Sequence, residues 1–198
     1  MQNGRKEKLS KLYGFVVKGA KPFRDEAVKP YLDLLSDYAS KCRVITELGI
    51  STGCPTLVFL MSSCKKVYSY NIIVSQNAQT VKQAAEEDGV FFRHIKEDDL
   101  KLKIKMTDLL FIDTDHWQGR IKAELDHHHA RVRKWIVIDN TETFGMINPF
   151  DGRPGMRAGI FDFLEEYPEW QLREHLEIGH GLTILERQEE QKKKWWKF

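Results

Sequence analysis

Two glycines bracket a turn that directly follows a short apolar strand in the first third of the chain. Residues 44–53 read V-I-T-E-L-G-I-S-T-G, and Pro55 stands where the first turn of a helix would begin. Proline suits that position because it has no backbone N–H to satisfy and its φ matches a helix start. A strand, a glycine turn and a helix N-terminus leave backbone N–H groups facing a ligand. The spacing Gly49-x-x-x-Gly53, with Glu47 two residues upstream, therefore predicts a cofactor-binding site. It differs from the G-x-G-x-x-G motif of dinucleotide-binding proteins.

Polar side chains also follow two later apolar strands. Residues 109–112 run into Asp113, and residues 135–138 run into Asp139 and Asn140. Continuous apolar runs of this length are typical of strands that are buried on both faces of a parallel sheet. In such sheets the ligand crevice lies at the carboxyl ends of the strands. We therefore expect these side chains to converge with the glycine turn.

The elements that position these residues alternate between strand and helix, which predicts a doubly wound, mostly parallel α/β domain. The last two strands, joined by a Gly-His-Gly turn, predict an antiparallel pair. Residues 141–155 are rich in glycine and proline, and long loops of this kind are often functional lids. Besides the strands above, we predict strands at 66–73, 90–95, 170–177 and 181–187, and helices at 24–40, 56–63, 75–87, 118–131 and 156–167.

The amino-acid composition divides the chain into three predicted segments. Residues 1–23 are basic with little periodicity and are expected to form a loose N-terminal arm. Residues 24–187 form the α/β domain, and residues 188–198 form a charged and aromatic tail. A terminal tail of this kind is more often loosely ordered than functional.

Composition excludes several classes of protein. With 198 residues, 41% of them hydrophobic and 30% charged, the chain is that of an ordinary globular protein. The formal charge of +2 is too small a bias to argue for a nucleic-acid partner. Three cysteines without C-x-x-C spacing predict free thiols in a reducing compartment. No apolar run reaches membrane-spanning length and the first residues are too polar for a signal peptide, so we expect a cytoplasmic protein.

The order of elements over residues 24–187 resembles that of class I S-adenosylmethionine-dependent methyltransferases, with the Glu47, Gly49 and Gly53 pattern after the first strand and an acid near the end of the third. More narrowly, the chain resembles small bacterial and viral methyltransferases of glycan and natural-product clusters, some of whose relatives are called cephalosporin hydroxylase-like. The segments that carry this resemblance are F-I-D-T-D-H at 111–116, I-D-N-T-E-T-F-G at 138–145, G-I-F-D-F-L-E-E-Y-P-E-W at 159–170 and G-L-T-I-L-E-R at 181–187. The resemblance implies a Rossmann-like, seven-stranded sheet with an antiparallel C-terminal strand.

The resemblance also implies a set of residues that contact S-adenosylmethionine. An acid usually ends the second strand and holds the cofactor ribose, but Asn71 stands there in this chain. Asparagine still donates and accepts hydrogen bonds, but it loses the charge-assisted bond, so we expect weaker cofactor affinity. Asp98 matches the residue that faces the adenine amino group, with Asp99 as the alternative. The full predicted set is Glu47, Gly49, Ser51, Gly53, Asn71, Asp98 and Asp113.

A metal site is implied in the same way. Asp113, Asp139 and Asn140 resemble the Mg²⁺ or Mn²⁺ ligands of catechol-type and macrolide-sugar O-methyltransferases. In the sugar enzymes a histidine three residues after the first of these is the base, and here that residue is His116, with Asp115 competing for the base or metal role. Catalysis is thus assigned to His116 and Asp113.

The chemistry of methyl transfer independently requires such residue types. A hydroxyl is a poor nucleophile, so it must be polarised or deprotonated before it attacks a sulfonium methyl group. A divalent ion held by oxygen ligands polarises it as a Lewis acid, and a histidine takes its proton. In-line placement of the reacting atoms supplies on the order of 7–11 kcal/mol of the remaining barrier reduction.

The sequence therefore predicts a metal-dependent O-methyltransferase acting on a sugar hydroxyl of a glycan or a glycosylated product. The alternatives are a methyltransferase of a catechol or small phenol and a non-catalytic binding module that keeps the fold. A glycine turn is common in α/β folds, Asp113 could cap a turn, and a lone histidine such as His116 is more often structural. A homo-oligomer and a module of a larger enzyme are both compatible with the sequence.

Overall fold

The computed structural model describes residues 6–25 and 28–188. Its strands are β1 (Val44–Leu48), β2 (Lys66–Asn71), β3 (Phe92–Lys96), β4 (Thr107–Ile112), β5 (Val132–Asp139), β6 (Trp170–Leu176) and β7 (Leu182–Arg187). Its helices are α1 (Glu7–Lys18), α2 (Leu32–Ser40), α3 (Cys54–Met61), α4 (Gln76–Glu87), α5 (Gln118–His128) and α6 (Met156–Glu166). Short 3-10 turns occupy Lys29–Tyr31, Asp99–Lys101 and His129–Arg131.

The seven strands form one sheet in the order β3-β2-β1-β4-β5-β7-β6. Strands β1 to β5 are parallel, and β7 runs antiparallel to both of its neighbours. The predicted Rossmann-like α/β fold, with a mostly parallel seven-stranded sheet and an antiparallel C-terminal strand, is confirmed. The chain progresses in one direction from β1 to β3 and in the other from β4 onward, so the topological switch point lies between β1 and β4.

Alternation along the central strands builds one core on each face of the sheet. In β4, Leu109 and Phe111 pack on the face covered by α1, α2, α3 and α4, while Leu110 and Ile112 pack on the face covered by α5 and α6. All four side chains are buried. This explains the continuous apolar run of β4, because a strand covered on both faces has no polar side to show in its sequence.

The prediction of a loose N-terminal arm is wrong for the residues that form α1. Leu9 and Val16 of this helix are buried against the core. The backbone N–H groups of Lys8 and Leu9 donate to the Asp88 carboxylate at 3.1 and 2.8 Å. The apolar positions of α1 recur at helical spacing, but its many lysines mask the pattern. Residues 189–198 of the predicted tail lie outside the described part of the chain.

Several element boundaries differ from the prediction, and two of the strand boundaries show a physical reason. β2 ends at Asn71 instead of residue 73, and Ile72 and Ile73 are 61% and 65% exposed. β5 begins at Val132, three residues early, because Val132 pairs with Thr107 of β4, and the exposed Arg133 and Lys134 lie in the irregular stretch before Trp135 pairs with Leu109. Apolarity marks the buried centre of a strand, whereas its ends are decided by pairing. In the described segments, no helix has the length and apolar character needed to cross a bilayer.

Candidate active site

The glycine turn after β1 has the backbone geometry that its sequence predicts. Gly49 and Gly53 have φ values of 83° and 81°, in the left-handed region that glycine adopts freely. A Cβ atom on Gly49 would lie 1.8 Å from the backbone oxygen of Asp113. The N–H of Asp113 in turn donates to the carbonyl of Leu48 at 2.8 Å. The turn is therefore pressed against the loop that follows β4, and only glycine fits at position 49.

A cleft of about 220 Å³ opens over this turn, at the carboxyl ends of β1, β2 and β4. This is the topological switch point, where ligands bind in sheets of this kind. Four of the predicted cofactor residues line it: Gly49, Ser51, Asn71 and Asp113. The other lining residues are Ile50, Tyr70, Ile72, Ile73, Asp99, Thr114, Asp115 and Arg120.

Glu47 and Gly53 lie behind the cleft wall instead of lining it. Glu47 is buried, and both oxygens of its side chain accept from the Thr56 hydroxyl at 2.9 Å. Burial raises the pKa of Glu47 to about 8, against the opposing effect of its hydrogen bonds. Glu47 thus ties β1 to the first turn of α3 and supports the glycine turn from beneath.

The side-chain amide of Asn71 connects β2 to the glycine turn. Its Nδ2 donates to the carbonyl of Ile50 at 3.0 Å, and its Oδ1 accepts from the N–H of Ile73 at 3.3 Å. One N–H and one lone pair of the amide remain for a ligand. Asn71 therefore shapes the cleft and still presents polar atoms to it.

Of the two acids considered for adenine, Asp99 lines the cleft and Asp98 does not. Asp98 caps the 3-10 turn, where its Oδ1 accepts from the N–H of Leu100 at 3.2 Å. Asp99 is buried, and Arg120 donates to its Oδ1 at 2.5 Å. Burial opposes its ionisation, but contacts with His128 and Arg120 hold the pKa of Asp99 below its ordinary value.

Arg120 is a cleft residue that the sequence reasoning missed. Besides Asp99, its Nε donates to Glu124 at 2.5 Å, and Glu124 also accepts from the Thr114 hydroxyl at 2.7 Å. Burial raises the pKa of Glu124 to about 8, with the Asp99 charge adding to the effect. The i,i+4 spacing of Arg120 and Glu124 on α5 was a readable signal. The network links the loop after β3 to the loop after β4.

Asp113, His116 and Asn140 meet beside the cleft, as the sequence predicts. The amide nitrogen of Asn140 lies 3.2 Å from Asp113 Oδ1 and 3.2 Å from His116 Nε2. The same carboxylate oxygen lies 3.4 Å from His116 Nε2. Asn140 has a φ of 64°, which non-glycine residues rarely adopt and which asparagine tolerates best. Such backbone outliers cluster at functional sites.

The loop between β5 and α6, predicted as a lid, packs directly on His116. The Phe144 ring stacks on the imidazole, with ring centres 4.4 Å apart. The Asn148 amide donates to the His116 carbonyl at 3.3 Å. Yet Met146 and Phe150 of the same loop are 73% and 85% exposed. The loop therefore holds the histidine and presents apolar side chains next to it.

Asp139 is directed away from the cleft, toward the N-terminal part of the chain. Its Oδ1 accepts from the Asn140 N–H at 2.7 Å and from the Tyr31 hydroxyl in a short hydrogen bond. Burial and then the charge of Asp113 raise the pKa of Asp139 to about 7. The sequence did not indicate a role for Tyr31 at the site, because no local sequence pattern links residues that are 108 positions apart.

The predicted metal ligands are neighbours, but they do not form a complete site. Asp113 and Asn140 present side chains to one another, while one oxygen of Asp139, Oδ1, accepts from Tyr31 and from the Asn140 backbone. Within residues 6–25 and 28–188, no group of three or more His, Cys, Asp and Glu residues is arranged to hold a metal ion. The three predicted ligands therefore lie near one another, but an ion would have to displace the existing contacts of Asn140 Oδ1, which lies 3.1 Å from His180 Nδ1, and of Asp139 Oδ1.

No family model matches the chain, and no curated protein sequence matches it either. Solved structures do resemble it over most of its length. A putative caffeoyl-CoA O-methyltransferase from Staphylococcus aureus is 18% identical with a TM-score of 0.59, covering 92% of this chain and 98% of that one. An O-methyltransferase from Bacillus cereus in complex with S-adenosylhomocysteine is 20% identical with a TM-score of 0.62, covering 91% and 90%.

A third similar structure is TomG from Streptomyces achromogenes, an O-methyltransferase involved in tomaymycin synthesis, in complex with S-adenosylmethionine. It is 17% identical with a TM-score of 0.65, covering 92% of this chain and 90% of that one. At such identities the likeness establishes the fold. This chain has the Rossmann-like fold that these methyltransferases share.

Proposed function

We propose that this protein is an S-adenosylmethionine-dependent O-methyltransferase whose active site lies at the carboxyl ends of β1, β2, β4 and β5. The observation that carries the proposal is the cluster of Asp113, His116 and Asn140 beside a cleft at the topological switch point. The structures of similar fold that contain S-adenosylmethionine or S-adenosylhomocysteine support the choice of cofactor.

The cofactor is assigned to the cleft over the glycine turn. Gly49 and Ser51 offer backbone atoms to it, and Asn71 offers its remaining N–H and lone pair to the ribose hydroxyls. Asp99, which lines the cleft and is held ionised by Arg120, takes the adenine amino group in place of Asp98. Asp113 closes the cleft on the side of the reacting methyl group, while Glu47 and Gly53 support the turn.

His116 is the proposed base. The Asn140 amide lies 3.2 Å from Nε2 and positions the ring, and an acceptor hydroxyl would take the place of this contact when the imidazole accepts its proton. The Asp113 carboxylate 3.4 Å away stabilises the imidazolium that forms. Phe144 fixes the plane of the ring, so the base is oriented before the acceptor arrives.

A divalent ion, Mg²⁺ or Mn²⁺, remains part of the proposal with a reduced ligand set. Asp113 and Asn140 would hold it, and Asp139 would join them more readily when Tyr31 releases Oδ1 of its carboxylate. When bound, the ion would act as a Lewis acid on the acceptor hydroxyl. The proton transfer to His116 does not depend on it.

The proposed acceptor is a sugar hydroxyl of a glycan or glycosylated product. The exposed apolar side chains of Met146, Ile147 and Phe150 favour an acceptor that also has an apolar face. The same observation supports a catechol or small phenol as the second candidate, because a flat aromatic ring would pack against these side chains.

The test is a methyl-transfer assay with S-adenosylmethionine, with and without Mg²⁺, against paired sugar and phenol acceptors, read by mass detection of the added methyl group. Methylation of a sugar that is lost in His116→Gln supports the proposal, with His127→Gln as the matched control on α5. Preference for phenols selects the second candidate. Methyl transfer that continues in the presence of a chelator would show that the reaction does not depend on a divalent ion. A folded protein that does not bind S-adenosylhomocysteine in calorimetry would favour the alternative of a non-catalytic binding module.

A further inference from the structure

The turn between β6 and β7 places a second histidine beside the candidate active site. β7 runs antiparallel to β5, and Leu182 at its start pairs with Asp139 at the end of β5. The turn, residues 177–181, therefore lies at the carboxyl edge of the sheet, next to Asn140. His180 of this turn has an exposed side chain, and its Nδ1 lies 3.1 Å from Asn140 Oδ1. The sequence predicted only a strand connection at this Gly-His-Gly turn.

Backbone contacts hold this turn in one position. Gly181 has a φ of 88°, and a Cβ atom there would lie 2.3 Å from the backbone nitrogen of Glu142. The His180 carbonyl accepts from the N–H groups of Glu142 and Thr143 at 2.8 and 3.1 Å. The same loop after β5 carries the phenylalanine that stacks on the proposed base. One loop therefore positions both histidines before an acceptor arrives.

The side-chain amide of Asn140 lies between the two histidines. Its nitrogen is 3.2 Å from both Asp113 Oδ1 and His116 Nε2, and its oxygen faces His180. A carboxylate accepts hydrogen bonds, so the NH₂ group is the part of the amide that belongs beside Asp113. The amide oxygen is left for His180 and can only accept. Nδ1 of His180 therefore carries a proton and donates it to Asn140 Oδ1.

The other nitrogen of His180 is available to a ligand. In a neutral imidazole with its proton on Nδ1, Nε2 has a lone pair and accepts a hydrogen bond. Among the residues that the structure describes, none makes a hydrogen bond to Nε2 of His180, whose side chain is exposed. Nε2 of His116, by contrast, already contacts Asn140. The site thus has a fixed and unoccupied acceptor at His180.

His180 lies on the side of the site that belongs to the acceptor. The cofactor is assigned to the cleft over the glycine turn, which Asp113 lines. His180 is not among the described residues that line this cleft, and it reaches the site through Asn140 instead. An acceptor that places its hydroxyl at His116 must occupy the space outside the cleft. The neighbouring part of such an acceptor then comes close to His180.

We propose that His180 is a specificity-determining residue whose Nε2 accepts a hydrogen bond from a second hydroxyl of the acceptor, next to the one that is methylated. This inference rests on the proposed function and narrows its class of substrates. Acceptors with a free hydroxyl on the neighbouring carbon are preferred over those in which it is missing. An acceptor without that hydroxyl displaces water from Nε2 and gives it no partner, which weakens its binding.

The test compares pairs of acceptors that differ in one neighbouring hydroxyl. The pairs are methyl hexosides with their monodeoxy analogues, and catechol with phenol, each assayed for methyl transfer from S-adenosylmethionine. In the unaltered protein, kcat/KM should be about tenfold higher for the member that keeps the neighbouring hydroxyl. His180→Phe keeps an aromatic ring but removes both nitrogens, so the ratio of the two kcat/KM values should fall to about one.

Two further variants separate hydrogen bonding by His180 from support of the turn. His180→Gln has an amide N–H that can donate to Asn140 and an oxygen that can accept from the acceptor, so it should retain part of the preference. Glu177→Gln changes an exposed side chain of the same turn and is the matched control. The ratio of kcat/KM values in Glu177→Gln should equal that of the unaltered protein.

The ratio distinguishes recognition of the acceptor from a merely structural role. If His180→Phe lowers kcat/KM equally for both members of a pair, His180 only supports Asn140 and the inference is overturned. Equal kcat/KM for both members in the unaltered protein would overturn it as well. In both cases methyl transfer itself remains, so the proposed function stands. Absence of methyl transfer to every acceptor would instead be a failure of the proposed function and would overturn both.

Discussion

The amide nitrogen of Asn140 lies 3.2 Å from Nε2 of His116, and this contact positions the imidazole of the proposed base. Asn140 reaches this position through a left-handed backbone at the end of β5. The same amide touches Asp113, so one residue aligns the proposed base with the carboxylate that stabilises its charged form.

Replacing Asn140 separates the role of its side chain from that of its backbone. Asn140→Gly keeps the left-handed φ without strain but removes the amide, and we expect kcat to fall by roughly 10²-fold. Asn140→Ala should lose the same activity and also about 1 kcal/mol of stability, because Cβ disfavours this φ. Steady-state kinetics and urea unfolding measure both effects. Full activity in the glycine variant would show that the amide does not align the base.

Arg120 should support both the fold and the cofactor cleft. Arg120→Met leaves the buried carboxylates of Asp99 and Glu124 without their cation, which should cost about 3 kcal/mol of unfolding free energy. Affinity for S-adenosylhomocysteine should fall roughly tenfold, because Asp99 loses its orientation. The control Arg173→Met removes an exposed partner of Glu186 and should change stability by no more than about 0.5 kcal/mol. Calorimetry that finds unchanged affinity in Arg120→Met argues against the assignment of Asp99.

Glu47 makes stability depend on pH in a defined direction. Burial raises its pKa in the folded protein to about 8, above the ordinary value of 4.5, so the folded state holds a proton that the unfolded chain releases. The stabilisation is complete below the unfolded pKa and is lost as pH rises toward 8, with a slope of at most about 1.4 kcal/mol per pH unit for one proton. Urea unfolding from pH 5 to 8 should show this fall, and Glu47→Gln should make it shallower. An unchanged slope in Glu47→Gln would contradict the prediction.

Tyr31 should lower the affinity of the protein for a divalent ion, because its hydroxyl contacts a predicted metal ligand. Its hydroxyl donates to Asp139, so Tyr31→Phe removes one of the two hydrogen bonds to Oδ1 of that carboxylate. We expect Mn²⁺ to bind roughly tenfold more tightly to this variant in calorimetry, since a ligand is released from a competing contact. Tyr38→Phe, whose hydroxyl faces Glu174 far from the site, is the matched control. Equal Mn²⁺ affinity in all three proteins would remove Asp139 from the ligand set.

The central sheet could be predicted from the sequence, because a strand that is buried on both faces is a continuous run of apolar residues. β4 and β5 read as continuous apolar runs, and the acids and amide that follow them were placed at the edge where they meet. Gly49 was also predictable, since its neighbours require a turn. The close approach of the Asp113 carbonyl, which makes any side chain impossible there, could be seen only in the structure.

The residues that sequence reasoning missed act through contacts between distant segments. Tyr31 reaches Asp139 across 108 positions, and no local pattern records such a contact. The choice between Asp98 and Asp99 depends on a 3-10 turn of three residues, which caps itself with Asp98 and directs Asp99 into the cleft.

The most direct test of the proposed methyltransferase function is a calorimetric titration of the folded protein with S-adenosylhomocysteine. The same titration is performed in parallel on Asp99→Asn. We expect one S-adenosylhomocysteine site per chain. The affinity should be roughly tenfold lower in the variant, because the adenine amino group loses a charged acceptor. A folded chain that binds no S-adenosylhomocysteine would contradict the proposed methyltransferase activity itself. Equal affinity in the two proteins would contradict the placement of adenine at Asp99.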